Sequence, residues 1–176
     1  MLTGDTVALR EAADEDIPFL QALRNSVDLQ AELMALPRPS GRARVKEWLQ
    51  GRTTDAKAVF FVIAERESNQ AKGFIQLLNI DLLHGHGDLG ICVSPAAQHQ
   101  GMGREALALL EGYVQRFFRL RKIMLEVLNT NTTAISFYVK SGYRRVGVLR
   151  KHFYQDGTYR DVIVMEKLLS KRRVAI

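Results

Sequence analysis

One short segment constrains this chain more than any other. Gln98-His99-Gln100-Gly101-Met102-Gly103-Arg104 stands between an apolar strand pattern and a long amphipathic helix pattern. From Gly101 onward, Leu107, Leu110, Val114 and Phe117 or Phe118 recur at helical spacing. A helix N-terminus exposes unpaired backbone N–H groups at the positive end of the helix dipole, and glycines let that backbone approach an anion closely. A strand, a glycine loop and a helix in this order therefore suit a pyrophosphate. The glycines alone leave open a turn that binds nothing.

Gly101-Met102-Gly103-Arg104-Glu105-Ala106 also matches the G-x-G-x-x-A dinucleotide fingerprint, and Glu126 lies about 20 residues further on, where a ribose-binding acid would stand. Two features count against that reading. Seven residues, Ser94 to Gln100, separate the strand from Gly101, whereas the dinucleotide turn sets its glycines at the strand end. Only 50 residues follow Glu126, too few for the second half of a doubly wound sheet.

The remaining elements follow from periodicity and punctuation. Thr6 to Arg10 reads as a strand, and Asp14 as the cap of a helix carrying Ile17, Leu20 and Leu23. Pro37-Arg38-Pro39-Ser40 breaks the chain before a second helix with Val45, Trp48 and Leu49. Ala58–Ala64 and Lys72–Ile80 are partner strands around a turn at Glu67–Gln70. His84–Asp88 reads as a turn before the strand Leu89–Val93. Lys122–Leu128 is a strand and Asn131–Lys140 a helix stopped by Gly142. Tyr143–Leu149 and Tyr159–Leu168 close the chain around Asp156-Gly157. This order predicts a mixed sheet with helices packed on it.

At 176 residues the chain is expected to be one domain, with its core from about residue 6 to 168 and a basic tail from 169 to 176. No apolar run approaches the roughly 20 residues that span a bilayer, and the N-terminus lacks a signal-peptide pattern. A single cysteine, Cys92, excludes an internal disulfide framework and fits a reducing cytoplasm. The net charge of +6 is spread along the chain, densest in the tail at Lys171-Arg172-Arg173, and reads as a solvated surface. Neither a nucleic-acid module nor a membrane partner is indicated. His84 and His86 share one strand face, but two ligands without a third do not make a zinc site, so no metal is expected.

The second informative stretch is Asn131-Thr132-Thr133-Ala134-Ile135-Ser136-Phe137-Tyr138-Val139-Lys140-Ser141-Gly142-Tyr143. With it the chain resembles the GNAT acetyltransferases. Their pattern Gln/Arg-x-x-Gly-x-Gly/Ala fits Gln98, Gly101 and Gly103. Their later pattern Asn-x-x-Ala-x-x-Leu/Phe-Tyr-x-Lys-x-Gly-Phe/Tyr fits Asn131, Ala134, Phe137, Tyr138, Lys140, Gly142 and Tyr143. The stretch Gly147–Arg150 and the stretch Asp156–Asp161 resemble the RimJ/RimL and spermidine acetyltransferase branch. The resemblance implies an α/β (α+β) GNAT fold. Its central sheet would be mixed and mostly antiparallel, of about six or seven strands flanked by about four helices, with a splayed strand pair that binds CoA.

The resemblance further implies acetyl-CoA as cosubstrate, with its pyrophosphate on the loop Gln98, His99, Gln100, Gly101, Met102, Gly103 and Arg104. The pantetheine arm would lie along the strand at Ile91 and Val93. Asn131 would bind the same arm, and Tyr138 would stand near the thioester sulfur.

Acetyl transfer to an amine needs a neutral nucleophile, a stabilised oxyanion and a proton for the departing thiolate. Deprotonating an amine of pKa near 10.4 at pH 7.5 costs about 4 kcal/mol. Tyr138 supplies a phenolic proton. Glu126 is the leading base, because a carboxylate in an apolar strand needs a reason and partial burial raises its pKa. A similarly placed glutamate serves as base in the related ribosomal-protein acetyltransferases. Asp88 is the next acid in line, and Cys92 reads as a small buried residue.

The substrate side is expected from the segment 24–40, the turn 84–88 and the strands around 151–159, with Arg24, Asn25, His86 and Asp88 as contacts. A small-molecule amine is the expected acceptor. The mixed, partly basic segments favour a nucleotide-linked amino sugar, because a polyamine needs clustered carboxylates that the sequence does not display. Acetylation of a protein N-terminus is the competing enzymatic reading, and a non-catalytic acetyl-CoA-binding module the non-enzymatic one. Self-association as a homodimer is compatible with either activity.

Overall fold

The computed structural model describes residues 1–169; the basic cluster Lys171-Arg172-Arg173 lies outside the described residues. The strands are β1 (Leu2–Thr3), β2 (Val7–Arg10), β3 (Val59–Glu65), β4 (Ala71–Asp81), β5 (His86–Val93), β6 (Lys122–Leu128), β7 (Arg144–Gln155) and β8 (Thr158–Leu168). The α-helices are α1 (Ile17–Asn25), α2 (Val27–Glu32), α3 (Arg42–Thr53), α4 (Met102–Phe117) and α5 (Thr132–Lys140). All eight strands form one sheet in the order β1-β2-β3-β4-β5-β6-β8-β7. Every neighbouring pair is antiparallel except β5 with β6.

The period-2 alternation of the strands divides the core between two faces. Ile75, Leu77, Leu89, Ile123, Leu125 and Met165 face α4 and α5 in the larger cluster. Phe60, Val62, Phe74 and Cys92 face α1 and α3 with Ile17, Leu20 and Val45. Trp48 closes that second cluster edge-on to Phe60 at 5.4 Å and to Phe74 at 5.5 Å.

Three boundaries differ from the sequence expectation. The His84–Asp88 segment is not all turn, because β5 begins at His86 and Asp88 is already paired with Leu78 of β4. The polar residues there alternate on one strand face, so their composition imitates a loop. A fifth helix, α2, is added by Ser26, whose hydroxyl accepts from the Leu29 N–H. Asp14 caps nothing; it lies in a short 3-10 turn, and the structural acid is Asp16.

Asp16 is 5% exposed and receives a two-point ion pair from Arg10 at the end of β2, at 2.6 and 2.9 Å. It also accepts the Ala13 N–H at 2.8 Å, so the entry to α1 is tied to the sheet. Burial alone would raise the Asp16 pKa. The Arg10 hydrogen bonds, the Ala13 N–H and the Arg10 charge outweigh it and hold the carboxyl below its ordinary value. Because the folded value is depressed, this contribution is complete above the ordinary carboxylate range and is lost as pH falls through the folded value. Asp16→Asn should therefore cost about 3 kcal/mol at pH 7. In urea denaturation series the deficit should shrink towards zero in strongly acidic buffer; a deficit that does not depend on pH would contradict this account.

Candidate active site

The only parallel pairing among the described residues sets the site. β5 and β6 are joined through three pairs, His86–Lys122, Gly87–Ile123 and Asp88–Met124, and then part. Beyond that point β5 stays paired with β4 as far as Val93–Gly73, and β6 with β8 as far as Leu128–Val162. Leu89–Val93 and Leu125–Leu128 thus face each other across an opening, each with one strand edge free of sheet bonds. Backbone N–H and C=O groups on such edges pair readily with an extended chain.

A cleft of about 750 Å³ occupies the opening. Leu89, Ile91 and Val93 line it from β5, and Leu125 and Val127 from β6. Its floor continues into the loop, where Gln98, His99, Gly101, Gly103 and Arg104 line it. Gln98 donates from Nε2 to the Val93 carbonyl at 3.0 Å, which fastens the loop to the end of β5.

His99 and Gly101 both have positive φ, at 61° and 81°. Gly101 is the N-cap of α4 without any side-chain cap bond, so the first N–H groups of that helix are open to the cleft end. The 16-residue helix adds the positive end of its dipole. These features fit the diphosphate of CoA, and the free strand edges above them fit its amide-bearing arm. Gln100 and Met102, expected with the loop, do not line the cleft. The Gln100 side chain bonds the Ala96 carbonyl at 2.9 Å, and Met102 is buried in the core.

α5 forms the next wall. Asn131 caps it, its Oδ1 accepting from the Ala134 N–H at 3.0 Å, and Asn131, Thr133, Ala134, Phe137 and Tyr138 line the cleft. Gly142, at φ 91°, follows the C-cap Ser141, as its place after the helix predicts. The two tyrosines of the motif have different situations. Tyr143 donates its hydroxyl to Glu111 at 3.1 Å, away from the cleft. The Tyr138 hydroxyl has no hydrogen-bond partner among the described residues. Burial first, and the neighbouring Cys92 second, push the Tyr138 pKa above its ordinary value, so the phenol keeps its proton throughout the physiological range.

The opposite face of the sheet supplies a different chemistry. Leu78, Gln76 and Phe74 of β4 pair with Asp88, Gly90 and Cys92 of β5, and Asp88 pairs with Met124 of β6. These side chains, with Glu126 two residues beyond Met124, therefore point to the α1–α3 side. Asp88 and Glu126 line the cleft from the sheet and Glu32 from the end of α2. Asn79 donates to Asp88 at 2.9 Å. The Oε1 of Gln76 is buried and has no donor. Cys92 also lines the cleft, from the α1–α3 side of the sheet. Burial first and the Glu32 charge second push its thiol up to about 12, so it is no nucleophile.

Several expected residues stand elsewhere. Glu126 is exposed on the cleft wall, not partly buried, because the parting of β5 and β6 opens its strand to solvent. Arg24 lies outside the cleft on the Trp48 ring, 4.5 Å from its centroid. Asn25 clasps the backbone of Ser40, accepting its N–H at 2.8 Å and donating to its carbonyl at 3.1 Å. His86 sits at the start of β5, where the strands are still paired, and does not reach the opening. Conversely, Gln76 was not anticipated as a lining residue, whereas Leu29, Glu32, Leu33 and Met34 line the cleft from within the expected segment 24–40. A glutamine inside Phe74-Ile75-Gln76-Leu77-Leu78 carried the same signal as Glu126, a polar residue within an apolar strand.

The acetyltransferase (GNAT) domain family matches residues 6–144, and the chain belongs to it. It is an acetyl-CoA-dependent N-acetyltransferase. The spermidine N(1)-acetyltransferase of Vibrio cholerae is 26% identical over 165 residues, covering 94% of each chain. That of Escherichia coli K12 is 27% identical, covering 94% of this chain and 87% of its own. Among solved structures, spermidine N-acetyltransferase from Vibrio cholerae in complex with CoA and spermine superposes with a TM-score of 0.88 at 24% identity, covering 96% of this chain and 98% of that one, a likeness of fold. A dodecameric structure of the Vibrio cholerae enzyme superposes with a TM-score of 0.80 at 25% identity, covering 96% of each chain.

The loop geometry gives a direct test. A Cβ on Gly103 would meet Val93 and Phe137 at ordinary contact distances of 3.5 to 3.8 Å, so a side chain there is tolerated by the fold. Gly103→Asp should keep its melting temperature within a few degrees and abolish CoA binding in calorimetry, because a carboxylate would stand against the diphosphate. Gly101→Asp should lose binding too, with added strain from its positive φ. Unchanged affinity in a folded Gly103→Asp protein would remove the loop from the cofactor site.

Proposed function

We propose that the acceptor is a small polycationic amine of the polyamine class, acetylated by direct attack on the thioester with Tyr138 as general acid and Glu126 as base. The observation that carries the reading is the convergence of Glu32, Asp88 and Glu126, from α2, β5 and β6, on one cleft. Three carboxylates along a channel suit several ammonium groups, and the donor-free Oε1 of Gln76 offers one more acceptor. The relatives named as spermidine acetyltransferases agree with this chemistry. It displaces the nucleotide-linked amino sugar, since Arg24 and Arg38, the basic residues of the substrate segment, lie outside the cleft. Leu29, Leu33 and Met34 cover the acceptor side, which favours a slender amine over a protein N-terminus.

Glu126 would accept a proton from the substrate ammonium, directly or through water, freeing the lone pair of the neutral amine for attack. Tyr138 would give its proton to the departing sulfur, from a site where burial keeps the phenol neutral. The acetyl group forms its new bond to the amine nitrogen as the bond to sulfur breaks. A reaction on acetyl-CoA with a single buried thiol fits a cytoplasmic enzyme. The chain also has the means to self-associate. β7 is a sheet-edge strand exposed along most of its length, with Val146, Val148 and Tyr154 uncovered.

Tyr138→Phe should retain CoA affinity while kcat falls roughly 10²–10⁴-fold. Glu126→Gln should lose activity at neutral pH and regain it as pH rises towards the amine pKa, since free amine then accumulates. A loss independent of pH would make Glu126 structural. Glu32→Gln combined with Asp88→Asn should raise KM for spermidine at least about tenfold, about 1.4 kcal/mol, while leaving a simple monoamine little changed. Efficient turnover of a Ser-initiated peptide with none of spermidine would reverse the acceptor assignment.

A further inference from the structure

We propose that a second pocket, walled by Arg24, Arg38, Arg44 and Trp48, binds a small molecule through its phosphate or carboxylate oxyanion. The pocket measures about 330 Å³ and shares no lining residue with the acetyl-transfer cleft. It lies where the end of α1, the segment before α3 and the first turns of α3 meet. The inference does not rest on the acceptor assignment.

The charge balance is the first argument. Three guanidinium groups line the pocket against one carboxylate, Glu47. None of the three has an ion pair among the described residues. Arg44 donates to the Pro39 carbonyl at 3.2 Å and so is held at the rim. Arg24 lies over the Trp48 ring, and its Nε is buried with no acceptor. A buried guanidinium N–H without a partner is costly, and an oxyanion seated beside it would satisfy it in the planar two-point geometry arginine favours. Burial first, and then the like charges of Arg52 and Arg44, lower the Arg24 pKa. An anion would relieve that repulsion.

The start of α3 adds to this. Its N-cap is Gly41, which supplies no side-chain cap, and its first turn contains no acid but does contain Arg42 and Arg44. Positive side chains at the positive end of a 12-residue helix oppose the dipole. Ser40 and Arg44, on either side of that start, both line the pocket. The Asn25 clasp on Ser40 fixes the segment, so the site is built in advance.

Trp48 is the only tryptophan of the chain and forms the pocket wall, so it reports occupancy. Pyrophosphate and citrate, each titrated against sodium chloride of equal ionic strength, separate a phosphate from a carboxylate ligand. Tryptophan emission and calorimetry of the full chain are read together. The expected result is saturation by at least one of the two on the unaltered protein and on Gly103→Asp, whose cofactor loop is blocked. Binding should weaken at least about tenfold in the Arg38→Ala/Arg44→Ala double variant, whose exposed side chains are removable without loss of the core. The proposal is overturned if neither anion saturates by roughly 10 mM. It is equally overturned if chloride gives the same curve, if the double variant binds like the unaltered protein, or if Gly103→Asp abolishes the signal.

Discussion

The parting of β5 from β6 is the constraint on which the rest of the structure depends. Each strand is committed to an antiparallel partner on its far side, β4 and β8, and only three parallel pairs hold the two halves of the sheet together. Had the parallel ladder continued, Leu89–Val93 would have no free edge, Glu126 would stand in a closed sheet, and Tyr138 would face a wall. The opening turns an ordinary twisted sheet into a passage between its two faces. On one side lie the helix N-terminus and α5, on the other the carboxylates and α2.

Charge is distributed against the average. The chain carries +6, yet the acceptor side of the cleft is acidic. The arginines that dominate the linear segment from α1 to α3 are turned away from the cleft, onto Trp48 and the separate pocket beside it. Counting charge along that segment therefore pointed to an anionic substrate, whereas the folded cleft is lined by Glu32, Asp88 and Glu126. The reason is geometric. α2 ends in Glu32 at the cleft, and the chain then leaves the cleft wall before Arg38 is reached.

What was legible in the sequence were features whose signal is local. The glycine loop and helix start at Gly101, the cap at Asn131, the stop at Gly142 and the alternating strands each depend on a handful of neighbouring residues, and each lies where its pattern places it. Failures came where composition and geometry diverge. His84–Asp88 is rich in turn-forming residues, but from His86 it is a strand, because pairing with β4 and β6 outweighs propensity. α2 is six residues long and too short for periodicity to reveal.

By itself, then, the sequence determined the order of elements, the anion-ready loop and the tyrosine on its helix, since these rest on spacing within one element. Only the tertiary structure decided that Glu32, Asp88 and Glu126 share a cleft, that Gln76 joins its lining with a buried, donor-free Oε1, and that Arg24 and Asn25 serve other contacts. Those facts depend on three strands and two helices meeting at one opening. The direction in which a side chain then points is set by sheet register and by where two strands part, quantities that no single segment encodes.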